Sequence, residues 1–293
     1  MKPLDRRSFL ALSAAAAGGA LAPEHARAEE APTNYNDARA VLYDATRCIG
    51  CRNCGRACRA YQGLEQNPKQ MDGVSFDMPT DLSPNDFMIL QAYEGEPDAE
   101  TGQQRWSFIK KNCMHCNVPA CASACPVAAL KKTDEGPVVY YEDRCIGCRY
   151  CMLACPYTVP RYEWLDRVPR VRKCDLNGAC VKACPVQALV EGKRAALIAE
   201  GHRRIEQNPE RYVDHVYGEH EAGGASYLIL AGIPFEQLGL PDLPPMVRSS
   251  YADALMKGLP GWIIGLGLFL GGLYQMERRQ RHTEARRHGE VES

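Results

Sequence analysis

The chain has 293 residues, including 15 cysteines, and a formal net charge of −1 from 35 Lys and Arg against 36 Asp and Glu. This balance excludes a broadly basic nucleic-acid-binding protein and an acidic disordered tail. Apolar residues make up 45% of the chain, enough to build a core. A framework made only of disulfides would leave one thiol unpaired, and such frameworks belong to much shorter chains. The cysteines therefore need another explanation.

The first 28 residues predict an export signal. Arg6 and Arg7 precede a weakly apolar stretch at 9–21, and Ala26-Arg27-Ala28 offers a small-x-small cleavage site. The arginine pair lies in a string that resembles the twin-arginine motif, which directs folded proteins across the membrane. The alternative is a chance arginine pair ahead of a buried Ala-rich helix. A protein that receives metal clusters before export needs a route for folded chains.

Four cysteine groups lie between residues 48 and 184. They are Cys48, Cys51, Cys54 and Cys58; Cys113, Cys116, Cys121 and Cys125; Cys145, Cys148, Cys151 and Cys155; and the incomplete set Cys174, Cys180 and Cys184. In C-x2-C-x2-C, one tight loop supplies three thiolates to an iron–sulfur cluster, and a later Cys ligates the other cluster of a pair. Zinc sites use separated C-x2-C pairs without a third Cys, and thioredoxin-like pairs are less crowded. The spacing therefore predicts paired 4Fe-4S clusters.

Exchange of the last cysteine between paired groups predicts four ligand sets, which we call sites I to IV. Site I is Cys48, Cys51, Cys54 and Cys184; site II is Cys113, Cys116, Cys121 and Cys155; site III is Cys125, Cys145, Cys148 and Cys151; site IV is Cys58, Cys174 and Cys180. Three 4Fe-4S clusters are expected at sites I to III, because only these sites have four thiolates.

Site IV lacks one ligand. A complete fourth group would have Cys where Asn177 stands, followed by a longer loop before Cys180. Three hypotheses follow: a three-iron (3Fe-4S) cluster on three thiolates, an altered four-iron cluster with Asn177 or water as the odd ligand, or an empty site. The three-iron form is favoured, because three thiolates suffice to hold it.

The segments that follow the cysteines predict an α+β fold. Ala128–Lys131 and Gln187–Val190 are typical of short strands, and Pro137–Tyr141 is typical of the second strand of a hairpin. Two ferredoxin-like units of the bacterial two-cluster type are expected. One is contiguous and holds the second and third groups, and the other is discontinuous and encloses it. The iron–sulfur region spans 29–190, with an insertion at 59–112, of which Asn67–Glu100 is rich in Pro, Asp and Gly and typical of a surface segment. An ordinary loop is the alternative to a partner-facing one.

The remainder of the chain predicts a helix, a strand-rich segment and an anchor. Residues 191–257 hold a helix from Arg194 to Tyr212, whose apolar side is Ala195, Ala196, Ile198 and Ala199, and a strand-rich segment that ends in a linker. Residues 258–276 carry no charge, and nineteen helical residues reach about 28 Å, close to the thickness of a bilayer core. The basic tail at 277–293 is then cytoplasmic by the positive-inside rule. The alternative is a buried core helix.

With these motifs in place, the chain resembles the iron–sulfur electron-transfer subunits of membrane oxidoreductases. The run from Cys145 to Pro160 looks like the third motif of that family, which includes partners of formate dehydrogenase, dimethyl sulfoxide reductase and nitrate reductase. The segments 217–224 and 227–234 are similar to the strand-rich part of formate dehydrogenase beta subunits and of HybA-type subunits. The run 233–244 and the chain's own leader favour the HybA type, which belongs to nickel–iron hydrogenases of the hydrogenase-2 kind.

The resemblance implies a non-catalytic subunit that carries electrons. The implied donors are the small and large subunits of a periplasmic hydrogenase, and the implied acceptor is an integral membrane subunit that reduces quinone. The expected location is the periplasmic side of the bacterial inner membrane, with one C-terminal membrane helix. Two alternatives stay open: the beta subunit of a formate dehydrogenase or other molybdoenzyme, and a tethered ferredoxin-like sensor or scaffold.

Overall fold

The computed structural model describes residues 35–65, 81–95, 104–165, 170–245 and 249–289. The predicted export signal and parts of the predicted insertion, 66–80 and 96–103, lie outside the described residues. The chain divides into a unit formed by Ala31–Ser249 and a second unit that includes Ser250–Ser293. All fifteen cysteines belong to the first unit.

Nine strands and six helices make up the regular structure of the described residues, together with short 3-10 turns. The strands are β1 (Arg39–Asp44), β2 (Ile89–Glu94), β3 (Trp106–Lys111), β4 (Leu130–Lys132), β5 (Val138–Tyr140), β6 (Arg161–Tyr162), β7 (Val171–Arg172), β8 (Leu189–Lys193) and β9 (Tyr227–Leu230). The helices are α1 (Asn53–Tyr61), α2 (Ala120–Ser123), α3 (Tyr150–Ala154), α4 (Ala179–Lys182), α5 (Arg194–Gln207) and α6 (Ser249–Gly289).

A three-stranded sheet in the order β8-β1-β9 anchors the first unit. Strand β1 runs antiparallel to β8, with Tyr43 opposite Leu189, and parallel to β9, with Tyr43 opposite Ile229. The pairs β2-β3, β4-β5 and β6-β7 are separate antiparallel ribbons. The ribbon β4-β5 is the hairpin predicted between the second and third cysteine groups. Helix α1 packs against α4, and α2 packs against α3, so the helices after the cysteine loops meet in pairs.

The two faces of the main sheet serve different purposes because side chains alternate along a strand. Leu42 and Leu228 point to one side, where they pack with Leu197 and Ile205 of α5. Their neighbours Tyr43 and Tyr227 point to the other side, into the core that contains the cysteines. The sheet therefore separates a conventional helix-covered core from the cysteine-rich one.

The predicted surface segment 67–100 is partly buried where the structure describes it. The insertion at 59–112 contains the β2-β3 ribbon, in which Ile89, Leu90 and Ile109 are buried. The Phe108 ring lies so close to Gly50 that a Cβ atom there would come within 2.5 Å of it. Apolar residues near the ends of the insertion fold it onto the loop of the first cysteine group. The Pro, Asp and Gly content of its middle hides this feature.

Helix α5 also differs from its prediction in length and in orientation. It ends at Gln207, and its buried side is formed by Leu197, Gly201 and Ile205. Ala195, Ala196 and Ala199, the predicted apolar side, are exposed. The helix rotates so that the larger side chains Leu197 and Ile205 meet the sheet, because their burial removes more apolar surface from water than that of alanine.

The C-terminal helix α6 extends well beyond the predicted span at 258–276 in both directions. Among the residues that the structure describes, no helix combines the length and the apolar character needed to cross a membrane.

Candidate iron–sulfur sites

Every cysteine is free to act as a ligand. All fifteen thiols lie outside disulfides, although several are buried within a short distance of one another. In the described part of the chain, no group of three or more His, Cys, Asp or Glu side chains is arranged to hold a single metal ion.

Three cavities match three of the predicted ligand sets. The four cysteines of site I line a cavity of about 320 Å³, those of site III line a second of about 320 Å³, and those of site II line a third of about 350 Å³. Each cavity brings together one cysteine from a distant group: Cys184, Cys125 and Cys155, respectively. The remaining walls are mainly apolar side chains, such as Leu90 beside site I and Val159 beside site II.

The cysteine loops share one backbone conformation. The residue before the second ligand position has a left-handed φ in all four groups: +70° at Gly50, +50° at His115, +71° at Gly147 and +60° at Leu176. Such angles are strained for residues other than glycine and persist only where the surroundings fix them. A left-handed residue recurs before each helix that follows a C-x2-C-x2-C-like loop: Arg52, Arg149 and Gly178. These repeated angles curl each loop around its cavity.

The fourth group follows the same course despite its missing ligand. Leu176 and Gly178 repeat the angles of Gly50 and Arg52, so Asn177 occupies the position that Cys51 holds in the first group. The prediction that a complete group needs a longer loop before Cys180 is therefore wrong, because the present loop already follows the course of the first group. Site IV has a regular loop in which one ligand is replaced.

The Asn177 side chain is engaged locally. Its Oδ1 accepts a hydrogen bond of 2.8 Å from the amide of Ala179, the first residue of α4, and its Nδ2 donates to Asp175. Its oxygen therefore serves the backbone two residues on, as in an Asx turn. This arrangement disfavours Asn177 as a ligand.

Adjacent sites are joined by the elements that carry their ligands. Cys121 lies on α2 and Cys125 follows it, so sites II and III lie about one helical turn apart in the chain. Cys54 and Cys58, which lie on α1, link sites I and IV in the same way. Cys174 of site IV and Cys113 of site II are buried in one core, which indicates the order III, II, IV, I. Burial raises the pKa of the Cys174 thiol to about 12; Lys110 lowers this pKa, and Cys113 raises it.

The thiols are held where their own ionisation is unfavourable. Burial raises the pKa values of Cys54 and Cys58 to about 12, and Lys110 opposes the shift in both. Burial also raises the pKa of Cys151, to about 11, with neighbouring thiols adding to the effect. A buried thiolate needs a cation, and metal coordination deprotonates the thiol outright. The donor set therefore fits iron–sulfur clusters, with four thiolates at three sites and three at site IV.

Buried lysines accompany these thiols. Lys173 lines the cavity of site II and donates to the carbonyl of Cys174 at 3.0 Å. Lys132 donates to the carbonyl of His115 at 2.7 Å and to Ser226 Oγ at 2.9 Å. Burial lowers the pKa of Lys132 to about 7, although Cys116 and Cys113 oppose this effect. Lys173 is buried and Lys132 is half-buried, and nothing in the cysteine spacing separates these amines from solvated ones.

His115 takes a structural place within its loop. The amide of Val138 donates a 3.0 Å hydrogen bond to its Nδ1, so the neutral ring carries its proton on Nε2. Burial lowers the pKa of His115 well below its usual value, and Lys173 and Lys132 add to the effect. Nε2 has no hydrogen-bond partner among the described residues. The ring joins the loop of site II to β5.

Comparison with known proteins supports the same chemistry. Residues 104–203 and 47–129 each match the model of a 4Fe-4S dicluster domain family. The Hydrogenase-2 operon protein HybA of Escherichia coli O157:H7 is 32% identical, over 96% of this chain and 97% of that protein. A protein of Nitratidesulfovibrio vulgaris is 35% identical, over 98% of this chain and 81% of that protein. The nitrate-inducible formate dehydrogenase iron-sulfur subunit of Escherichia coli is 32% identical, over 74% and 76%.

These matches confirm the predicted resemblance and the two dicluster domains. One of the relatives is named for a hydrogenase operon, and another is named as the iron-sulfur subunit of a formate dehydrogenase. The chain belongs to the HybA family of iron–sulfur electron-transfer subunits and relays electrons through iron–sulfur clusters.

Proposed function

We propose that the chain carries electrons along sites III, II, IV and I, from a nickel–iron hydrogenase to a membrane subunit that reduces quinone. When bound, iron–sulfur clusters take up and release single electrons at potentials set by their ligands, charge and exposure. The protein's own part is to hold the ligands, fix the spacing and surround each site with cations and apolar side chains. It makes or breaks no substrate bond, in keeping with a non-catalytic subunit.

The shared helices and loops between neighbouring sites are the observation that carries this proposal. Electrons need not cross solvent between neighbouring sites, because each site shares a helix or the cysteine-containing core with the next. Site III lies at one end, where Cys148 is exposed and Leu153 on α3 is 83% exposed. Site I lies at the other end, with Ile49 exposed in its loop. The two ends are suited to electron entry and exit.

At site IV, three thiolates favour a three-iron cluster. The Asn177 oxygen already accepts a hydrogen bond from the Ala179 amide, which favours the three-iron cluster over an Asn-ligated four-iron cluster. An empty site IV would interrupt the proposed path at its centre. Iron analysis and EPR of the oxidised chain distinguish the forms, since a three-iron cluster is paramagnetic when oxidised and oxidised four-iron clusters of ferredoxin type are silent.

The extent of similarity favours a hydrogenase partner. The alignment with HybA spans nearly both chains, whereas the alignment with the formate dehydrogenase subunit stops at about three quarters of each. Affinity purification of the solubilised complex through this chain tests the assignment. Nickel should accompany the chain; molybdopterin without nickel would indicate a formate dehydrogenase or related molybdoenzyme. Clusters that stay oxidised when hydrogen and quinone are both supplied would indicate a tethered sensor or scaffold.

We also propose twin-arginine export and attachment to the periplasmic face of the inner membrane through residues 258–276. Trp262, Ile263 and Leu268 on α6 are 57%, 63% and 73% exposed, which leaves an uncharged apolar surface without cover in its own unit. Ile264→Arg with Leu268→Arg should release the chain from membranes, because each buried arginine costs about 2.5–3.5 kcal/mol at a bilayer centre. Gln275→Arg with Gln280→Arg, which adds the same charge near the polar end, should leave the chain attached.

Alkaline washing of membranes measures attachment in these variants. Retention of the double Ile264 and Leu268 variant would contradict the anchor, and release of both double variants would show a general effect of added charge. Protease treatment of spheroplasts tests the side of the membrane: digestion of the cysteine-rich unit supports a periplasmic location, and protection contradicts it.

A further inference from the structure

Lys110 is a buried cation placed between two of the sites. It lies in β3, and its side chain is 2% exposed. Its partner across the β2-β3 ribbon is Leu90, which lines the cavity of site I. Burial by itself lowers the pKa of Lys110, but the neighbouring Cys180, Tyr227, Cys174 and Cys54 raise it well above the ordinary value. Two of these cysteines belong to site IV and one belongs to site I.

No carboxylate balances this charge within the described part of the chain, where the salt bridges that involve lysine use other amines. The Lys110 ammonium instead donates to Asn112 Oδ1 at 3.1 Å and lies 4.8 Å from the centre of the Tyr227 ring. Both contacts orient the amine without neutralising it. A buried charge without a counterion is costly, so a partner of opposite sign is expected.

Tyr227, whose ring lies beside Lys110, supplies a second indication. It is 1% exposed on β9, and its hydroxyl has no acceptor among the described residues. Burial raises the pKa of Tyr227, and Cys180 and Cys54 add to the effect although Lys110 opposes it, so the hydroxyl keeps its hydrogen. A buried donor without an acceptor beside sulfur ligands from both sites points to an anionic group between them.

We propose that Lys110 is a positioning residue that stabilises the electron at both site I and site IV, with the Tyr227 hydroxyl assisting it. This inference rests on the proposed relay function. Thiolate-ligated clusters gain negative charge on reduction, and a fixed cation nearby favours the reduced state. Lys110 neither gains nor loses an electron. Its charge raises the reduction potentials of sites IV and I together. Electrons can then pass through site IV although it has only three thiolates.

The test uses the purified full chain in detergent, with each site followed by EPR during a redox titration. Cys48→Ser and Cys174→Ser identify the signals of site I and site IV. Lys110→Met should lower the potentials of these two sites while leaving those of sites II and III in place. We expect a change of about tenfold in the reduced fraction at a fixed potential, equivalent to about 59 mV for a one-electron couple.

Three further variants separate charge from packing. Lys110→Arg keeps the charge and should titrate like the wild type, and Tyr227→Phe removes only the hydroxyl and should give a smaller shift in the same two signals. Lys182→Met removes an exposed amine on α4 close to the same sites and should change little, because water screens its charge.

Unchanged potentials in Lys110→Met, or equal shifts at all four sites, would overturn the proposal. The proposal would also be overturned if Lys110→Arg lowered the potentials of sites I and IV as much as Lys110→Met does. If Lys110→Met does not retain its iron, the Tyr227→Phe titration decides: a shift confined to sites I and IV supports the proposal, and no shift contradicts it. A wild-type chain without titratable iron signals would refute the relay function itself, which separates the two failures.

Discussion

A single side chain, Asn177, decides what site IV can hold. The backbone around it repeats the loop of the first cysteine group, with left-handed angles at Leu176 and Gly178. Position 177 therefore has the backbone of a ligand position, but the oxygen of Asn177 accepts a hydrogen bond from the Ala179 amide. Restoring a thiol requires no change of loop length, which makes the consequence of the substitution directly testable.

We therefore expect Asn177→Cys to complete site IV. The new thiol would take the place that Cys51 holds in site I, so the iron content should rise by about one per chain and the three-iron EPR signal of the oxidised protein should disappear. Asn177→Ala is the matched control: it removes the hydrogen bond to the Ala179 amide, which costs about 0.5–1.5 kcal/mol of stability, but should keep the three-iron signal. Persistence of that signal with unchanged iron in Asn177→Cys would contradict the account.

The residues show which parts of the sites are predictable from sequence. Cysteine spacing groups the thiols, because loop geometry repeats with each motif and the partner cysteine lies one helical turn further on. The burial of Lys110 is not predictable in this way, since it depends on a ribbon whose connections are rich in Pro, Asp and Gly. The hydrogen bond between Asn177 and the backbone also cannot be predicted from cysteine spacing, because the same side chain could equally act as a ligand.

At the scale of elements, the contact between the β2-β3 ribbon and the first cysteine loop is the one that brings Lys110 to the sites. Phe108 of β3 lies against Gly50, which has a φ of +70°. Gly63 has a similar φ of +65°, but a Cβ atom there would meet nothing within 4 Å. The two glycines share backbone strain and differ in packing, so they form a matched pair.

Gly50→Ala should destabilise site I more than Gly63→Ala destabilises any site. Both alanines pay about 1–2 kcal/mol for the left-handed conformation, and only Gly50→Ala also pushes against a ring, which adds about 1–3 kcal/mol. Chelator-driven loss of visible absorbance measures the result, with faster loss expected for Gly50→Ala. Equal rates in the two variants would show that the ribbon does not support the loop.

The attachment of α5 to the main sheet depends on Asp44 at the end of β1. Asp44 is fully buried, accepts from Arg204 at 3.0 Å and accepts from the Tyr212 hydroxyl at 2.9 Å. Asp44→Ala removes one of the two carboxylates that pair with Arg204, since Glu200 stays bonded to its Nε at 2.7 Å, and it leaves the Tyr212 hydroxyl without its acceptor. We expect a loss of about 1–3 kcal/mol of stability.

Asp37→Ala is the control for this substitution, because the Asp37–Lys193 ion pair is exposed and such pairs contribute little. Urea titration monitored by tertiary-structure signals compares the two midpoints. A midpoint for Asp44→Ala that matches the Asp37→Ala value would show that the buried pair does not hold the helix.

The orientation of α5 also shows why the buried side of a helix is hard to predict from sequence. Alanines give a helix a weakly apolar stripe, but Leu197 and Ile205 release more free energy on burial and determine which side meets β1. Arg204, expected on the solvated side, is buried because Asp44 pairs with it. Strand pairing near the cysteine groups is more predictable, since the groups fix where the chain must return.

For the whole molecule, the central feature is a path of four sites with the incomplete one inside it. Sites II and III are joined through α2, sites I and IV share α1, and Cys174 and Cys113 are buried in one core. Family membership accounts for the relay, and in the proposed path site IV joins the two halves of the row. The identity of the partners belongs to the proposal and is tested by what purifies with the chain.

The most direct measurement is the iron content of the purified full chain together with an EPR-monitored redox titration. Three four-iron clusters and one three-iron cluster predict about fifteen irons per chain, with a three-iron signal in the oxidised protein that disappears on reduction as four-iron signals grow. About twelve irons without a three-iron signal would leave the path broken at site IV and contradict the relay proposed through it. About sixteen irons, again without that signal, would contradict the three-thiolate cluster.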